Sequence, residues 1–334
     1  MRPSRAMVLA AGLGIRMRPL TALAPKPALP VLNRPLIAHA LEHLVAHGVS
    51  LAVINSHHMS ERIEEAVMGS RPDQLEVRFS NESAILGTAG GLKRAAKHFQ
   101  GEPFYLVNSD SLTDADLTAA AAAHAASGRA ATLIVMSHDP ASEYRPVAVA
   151  ASGGPNGRVV GIAGRRWGRE DAVQRTFTGV HVLNPSVLEE IPPATACDIN
   201  ADIYPWLLDQ DPDSVGTWLH EGWWFEAGGP ARYLDLNLEM LARSGRDSVV
   251  GPGYRVDPLA RVARSVIGSR VRLARGAQVE GCVLWDDVTV GEGVTLERCI
   301  VTHGVEVPMI PLASTILLRE KGGRVLMHPM GAPE

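Results

Sequence analysis

Along the first 240 residues, short β-branched and aliphatic runs alternate with stretches whose apolar positions recur at helical spacing. Strands are predicted at residues 6–10, 51–55, 76–79, 104–107 and 131–136, and helices at 36–46, 60–68, 89–98 and 115–126. This rhythm of strand, helix, strand implies βαβ units and a three-layer α/β fold around a mainly parallel sheet. Such sheets bind ligands beyond the carboxyl ends of their strands. The loops after the first and fourth strands, residues 12–26 and 108–110, are therefore where chemistry is expected.

The pattern changes near Gly251. From there to Val307, glycine-containing turns separate short aliphatic runs and no helical period appears. Aliphatic residues recur every six positions, as Ile267, Leu273 and Val279, then Leu284, Val290 and Leu296. A second register runs Val271, Ala277 and Val283, then Val288, Val294 and Ile300. A six-residue period marks a short left-handed parallel β-helix, which stacks its aliphatic corners into a narrow core. About three coils fit the segment. The expected organisation is a Rossmann-like domain over 1–245, the β-helix over 251–307 and a tail over 308–334. Residues 314–319 and 324–328 are candidate closing strands in that tail.

Composition narrows the partners. The 334 residues are 46% hydrophobic and 20% charged, with a net charge of −4 and no dominant basic block. A nucleic-acid partner usually leaves a basic footprint. No segment reaches the ~18 consecutive apolar residues of a membrane span, and the run 7–11 is too short for a signal-peptide core. Neither nucleic acid nor membrane is expected as a partner. The three cysteines, Cys197, Cys282 and Cys299, fit no CxxC or metal-ligand spacing, so a cytoplasmic, reducing setting is the simplest expectation.

The first loop carries the strongest chemical signal: Leu9-Ala10-Ala11-Gly12-Leu13-Gly14-Ile15-Arg16-Met17-Arg18-Pro19-Leu20-Thr21, then Pro25-Lys26-Pro27 and Leu29-Pro30-Val31. Glycines let the backbone approach a polyphosphate and aim N–H groups at it. Arg16 is placed to hold phosphate oxygens with its planar fork, and Lys26 lies between two prolines that stiffen its backbone. No Gly-Lys-Ser/Thr ends the loop, which excludes a Walker A motif; Arg18-Pro19 stands where a dinucleotide fold needs its third glycine.

The GxGxR, PLT, PKP and LPV elements within one window resemble the signature of the sugar-1-phosphate nucleotidylyltransferases, in particular the mannose-1-phosphate guanylyltransferases, many of which carry a C-terminal left-handed β-helix. The resemblance extends through the whole chain. It implies transfer of a nucleoside monophosphate from an NTP to a sugar-1-phosphate, with release of pyrophosphate. Asp110, at the end of Tyr105-Leu106-Val107-Asn108-Ser109-Asp110, then corresponds to a metal-binding aspartate, a duty suited to Mg²⁺. The family's second ligand is an Asp in a W-x-D-x-G-T-P element. Here Trp223-Trp224-Phe225-Glu226-Ala227-Gly228-Gly229-Pro230 places Glu226 at that Asp and Gly229 at the Thr.

The resemblance assigns further residues. Glu82, Gly87 and Thr88 fall in the nucleobase loop Ser80-Asn81-Glu82-Ser83-Ala84-Ile85-Leu86-Gly87-Thr88-Ala89-Gly90-Gly91. A carboxylate only accepts, and guanine presents N–H donors, so Glu82 favours GTP. Leu9, Ala11, Gly12, Gly14 and Arg16 complete the expected nucleotide-binding set, and Arg16, Lys26 and Asp110 the catalytic set. Tyr144, Arg165, Gly179 and Asn200 are expected at the sugar, with Arg165 or Arg166 supplying the charge where the family has a phosphate-binding lysine. The expected cofactor is Mg²⁺, and the expected assembly is a homo-oligomer through the β-helix. The departures at 226, 229 and 165 raise an alternative, a non-catalytic regulatory homologue that binds the NDP-sugar product.

Overall fold

A computed structural model describes residues 2–99, 101–320 and 322–330. The chain divides into two compact units: Met1–Leu13 with Ile37–Phe225, and Gly14–Leu36 with Glu226–Glu334. The loop that follows Leu13 thus groups with the C-terminal part of the chain, a division that differs from the consecutive blocks read from sequence.

The first unit is built on a ten-stranded sheet. Its strands are β1 (Arg5–Leu9), β2 (Leu51–Ser56), β3 (Glu76–Asn81), β4 (Phe104–Asn108), β5 (Ala131–Ser137), β6 (Val147–Ala150), β7 (Val159–Ile162), β8 (Arg165–Arg166), β9 (Ala172–Leu183) and β10 (Val215–Leu219). The main path runs β8-β7-β6-β9-β4-β1-β2-β3, with β5 also on β9 and β10 on β5. The expected parallel pairing holds across β4, β1, β2 and β3. The long strand β9 runs antiparallel to β4, β5 and β6, so the other half of the sheet is mixed.

Side-chain alternation along the strands builds a core on each face. Met7, Val53, Leu106, Leu133 and Val135 pack with α3 (Gly87–Arg94) and α5 (Tyr204–Gln210). Ala6, Val8, Ala52, Ile54 and Val107 pack on the other face with α1 (Leu36–Ala46), α2 (Ser60–Met68) and α4 (Leu117–Ser127). Helix α1 fits because its apolar residues Ile37, Leu41 and Leu44 recur at three- and four-residue spacing. Helix α4 starts at Asp116, whose carboxylate accepts the Ala119 N–H.

The second unit joins α6 (Pro230–Arg243) to a parallel β-helix with three faces. Strand pairs recur every 17 residues: Val249 with Val266, Val266 with Val283, Val283 with Ile300. The coil is thus one residue shorter than three sixes, which is why the six-residue recurrence breaks between Val279 and Leu284. Left-handed backbone marks the same corner in successive coils, at Arg264, Gly281 and Arg298. Ile267, Leu273, Val279, Leu284, Val290 and Leu296 all line the coil core. Val283 and Ile300, expected there too, are buried outside it, because each directly precedes a core residue in its strand and points the opposite way. Coiling extends beyond 251–307 at both ends, from Val249–Val250 to Thr315–Arg319, and Val325–Pro329 closes the sheet by an antiparallel pairing.

Two buried histidines give the first unit an acid dependence. Burial lowers His43 from its ordinary 6.5 to about 4 and His181 to about 3. His181 lies within 2.6 Å of the Tyr204 hydroxyl, inside the core. The unfolded chain binds these protons below about pH 6.5 whereas the folded chain does not, so stability falls as pH drops through the window from 6.5 towards 3. His181→Phe is expected to be less stable than wild type at pH 7.5, where Tyr204 loses its partner, and to lose less stability between pH 7 and 4.5. Urea unfolding at several pH values measures both.

Candidate active site

In the first unit the carboxyl ends of β1, β2 and β4 meet at one rim. Leu9 accepts the Ser109 N–H through its carbonyl, at 3.2 Å. The Ala10 N–H donates to Asn55 Oδ1 at 2.8 Å, and Asn55 Nδ2 donates to Glu82 Oε1 at 2.7 Å. The other Glu82 oxygen accepts the Leu86 N–H at 3.0 Å. Asn55 and Glu82 are buried, so this chain of bonds operates away from water and ties the end of β1 to the loop before α3. Sequence reasoning placed Glu82 in that loop but missed Asn55, a polar residue closing an otherwise apolar strand. Ala11 is buried, whereas Gly12 is exposed and a methyl group on it would meet nothing within 4 Å.

The start of α3 is held by a turn from far along the chain. The N–H groups of Ala89 and Gly90 donate to the Cys197 carbonyl. Thr88 Oγ1 donates to Asp198 Oδ2 at 2.9 Å and accepts the Ile199 N–H at 2.7 Å. Asp198 also accepts the N–H groups of Asn200 and Ala201. Gly87, Thr88 and Asn200 are thus brought together, and Asn200 Oδ1 is buried without a hydrogen-bond partner. Burial, then Asp202 and Asp198, pushes the Cys197 thiol up, which disfavours its thiolate.

Asp110 lies two residues beyond the end of β4 and is half-buried. Gly179, on the neighbouring strand β9, has φ +81, and a Cβ there would stand 2.6 Å from Asn108 Nδ2 and 2.8 Å from Ser111 Oγ. Only glycine suits that backbone and that approach. Tyr144 lies edge-on to Trp224 with ring centroids 5.0 Å apart.

The second unit gathers another group. Buried Met17, Leu20, Leu29 and Val31 anchor the segment that carries Gly14, Arg16 and Lys26. A Cβ built on Gly14 would lie 3.5 Å from the Lys26 Cβ, so the glycine turn and the proline-flanked lysine are neighbours. Arg16, largely exposed, places Nη2 3.3 Å from Glu226 Oε1, which is mostly buried. A carboxylate such as that of Asp110 or of Glu226 offers oxygen donors of the hard type that a divalent cation such as Mg²⁺ takes. Among the described residues no group of three or more His, Cys, Asp or Glu side chains is poised to hold a metal.

Arg165 is employed elsewhere. It sits on β8 at the outer edge of the sheet, where its guanidinium holds both Asp209 oxygens at 3.1 and 2.9 Å and lies over the Trp167 ring. Trp167 Nε1 donates to the same carboxylate, and these bonds, first Trp167 and then Arg165, hold Asp209 below the usual carboxylate range. Arg166 donates to the Glu170 carbonyl. A partner 44 residues away is not legible from the local run around 165.

Comparison with known proteins decides the family. The model of the family described as nucleotidyl transferase matches residues 5–243, and that of the GlmU-like C-terminal hexapeptide matches 230–311. The chain belongs to the nucleotidyl transferases. The chain is 31% identical to a mannose-1-phosphate guanyltransferase of Aspergillus fumigatus, over 78% of this chain and 74% of that one. It is 29% identical to a UTP–glucose-1-phosphate uridylyltransferase of Synechocystis, over 76% and 67%. Among solved structures, HddC from Yersinia pseudotuberculosis shares the fold, with a TM-score of 0.59 and 18% identity over 71% of this chain and 99% of that one. Gly91→Ala sets a Cβ 2.5 Å from Glu82 Oε1 and 2.7 Å from Asn55 Nδ2, and is expected to cost about 1–3 kcal/mol in denaturant unfolding. Gly12→Ala should stay within about 0.5 kcal/mol of wild type while raising KM for the nucleotide.

Proposed function

We propose that this nucleotidyl transferase moves a nucleoside monophosphate from an NTP, with GTP favoured, to a sugar-1-phosphate of the mannose-1-phosphate type, releasing pyrophosphate. The observation that carries the reading is the similarity to the mannose-1-phosphate guanyltransferase over more than three quarters of this chain. The base choice rests on Glu82. Its carboxylate offers about four acceptor positions, of which Asn55 and Leu86 take two, and what remains suits the N–H edge of guanine.

In this reading Arg16 and Lys26 hold the phosphate oxygens of the bound nucleotide and stabilise the charge that develops on departing pyrophosphate. Leu9, Ala11, Gly12 and Gly14 present backbone to it, and Gly87 and Thr88 flank the base. Tyr144, Gly179 and Asn200 belong to the sugar end. Asp110 and Glu226 are the residues that would hold Mg²⁺, which when bound supplies charge neutralisation of the triphosphate. The attacking sugar phosphate is already an anion, so no general base is required, and the protein contributes positioning and electrostatics. The β-helix is the proposed surface for self-association, since its coils offer flat faces.

A screen of four NTPs against a panel of sugar-1-phosphates, read by pyrophosphate release, tests the reading. Release is expected with GTP and mannose-1-phosphate, and no release with any pair would overturn it. Lys26→Ala and Asp110→Asn should each lower kcat by about a hundredfold or more, the scale of losing one key electrostatic contact. Chelation of divalent cations should abolish turnover, and added Mg²⁺ should restore it.

A further inference from the structure

The pairing of Arg165 with Asp209 leaves the sugar-phosphate duty without its expected cation, and β9 carries a second arginine that the sequence did not single out. Strand β9 runs antiparallel to β4 and β5, pairing Val180 with Val107 and Arg175 with Ser137, the last residue of β5. Arg175 therefore stands at the carboxyl-end rim of the parallel strands, four residues from Gly179. Alternation puts it on the same face as Phe177, whose ring packs on the core shared with α3, α5 and the turn holding Ile199 and Ile203. That turn also carries Asn200.

The polar atoms on this face are incompletely satisfied. Arg175 Nε is buried and has no hydrogen-bond partner. Among the described residues its side chain makes one hydrogen bond, from Nη1 to Ser137 Oγ at 3.4 Å, beyond the usual N–H···O range. Among the described residues no carboxylate pairs with it. Asn200 Oδ1 is likewise buried and unpartnered. Buried polar groups are nearly always paired, so an orphan donor on a cation calls for a ligand bearing anionic oxygens, and an orphan acceptor on an amide suits a hydroxyl.

We propose that Arg175 is the cation that binds the phosphate of the sugar-1-phosphate, with Asn200 accepting from a sugar hydroxyl. The proposal rests on the transferase reading for the identity of the ligand. A guanidinium presents N–H donors in a flat fork that matches two phosphate oxygens, and Nε–H belongs to that fork. Arg165, whose Nη2 is held by both Asp209 oxygens, serves as the internal control.

The test compares Arg175→Met, Arg175→Lys and Arg165→Met with the wild-type chain. In pyrophosphate-release kinetics, Arg175→Met should raise KM for mannose-1-phosphate about tenfold or more and leave KM for GTP within about twofold. Arg175→Lys should recover part of the loss, and Arg165→Met should match wild type. Calorimetry with mannose-1-phosphate reads the same contact without turnover: binding should weaken in Arg175→Met and not in Arg165→Met. Circular dichroism melting confirms that the variants fold, and Arg175→Lys carries the comparison if Arg175→Met does not. Unchanged mannose-1-phosphate binding in Arg175→Met, or an equal loss in Arg165→Met, overturns the proposal. So does a parallel rise in both KM values. Absence of pyrophosphate release from wild type with every pair would instead overturn the transferase reading, and Arg175-dependent calorimetric binding of the sugar phosphate would still stand.

Discussion

One buried carboxamide organises the rim of the first unit. Asn55 accepts the first free N–H beyond β1, at Ala10, and donates to Glu82, which in turn fixes the Leu86 N–H ahead of α3. Three segments from distant parts of the chain are thereby held in one register. Glu82 is a polar group taken out of water, and leaving such a group without one of its partners costs about 1–3 kcal/mol. The glycine at 91 lets the helix backbone come close enough for this bridge to form. Whatever the loops at this rim bind, they meet it already ordered, and preorganisation of that kind lowers the entropy cost of binding.

The second unit solves a different problem. Residues 14–36 contain little regular structure, so their shape depends on what they pack against. The Tyr233 hydroxyl donates to the Pro30 carbonyl, Asn237 accepts the Leu32 N–H, and Asn33 donates to the Ile267 carbonyl in the first coil. Trp285 Nε1 donates to the same Tyr233 hydroxyl at 3.1 Å. Helix α6 and the coils therefore act as a scaffold on which the arginine and lysine of the loop are set.

The sequence was most legible where structure is local. Helices α1 and α2 end where their apolar periodicity ends, and the glycine-rich loop announced itself by residue type alone. The coil was visible as a six-residue period, although the 17-residue repeat needed the corner geometry at Arg264, Gly281 and Arg298. The antiparallel half of the sheet was not legible, because strand direction depends on pairings such as Val180 with Val107 that no window of sequence contains. The site shows the same divide. Glu82 and Gly179 were singled out from neighbouring residues. The occupation of Arg165 could not be, since its partner Asp209 lies on helix α5, far along the chain, and Asn55 gave no sign beyond one polar side chain at a strand end.

The grouping of residues 14–36 with the C-terminal half has a bearing on how the chain can be shortened. A version ending at Phe225 would retain every letter of the glycine-rich motif, yet it would lack Tyr233, Asn237 and Trp285, the groups that brace the Pro30–Asn33 turn. Hexapeptide tails are easily regarded as accessories that can be trimmed. In this chain the tail is the wall against which an N-terminal motif is moulded, so trimming would blur that motif without touching it.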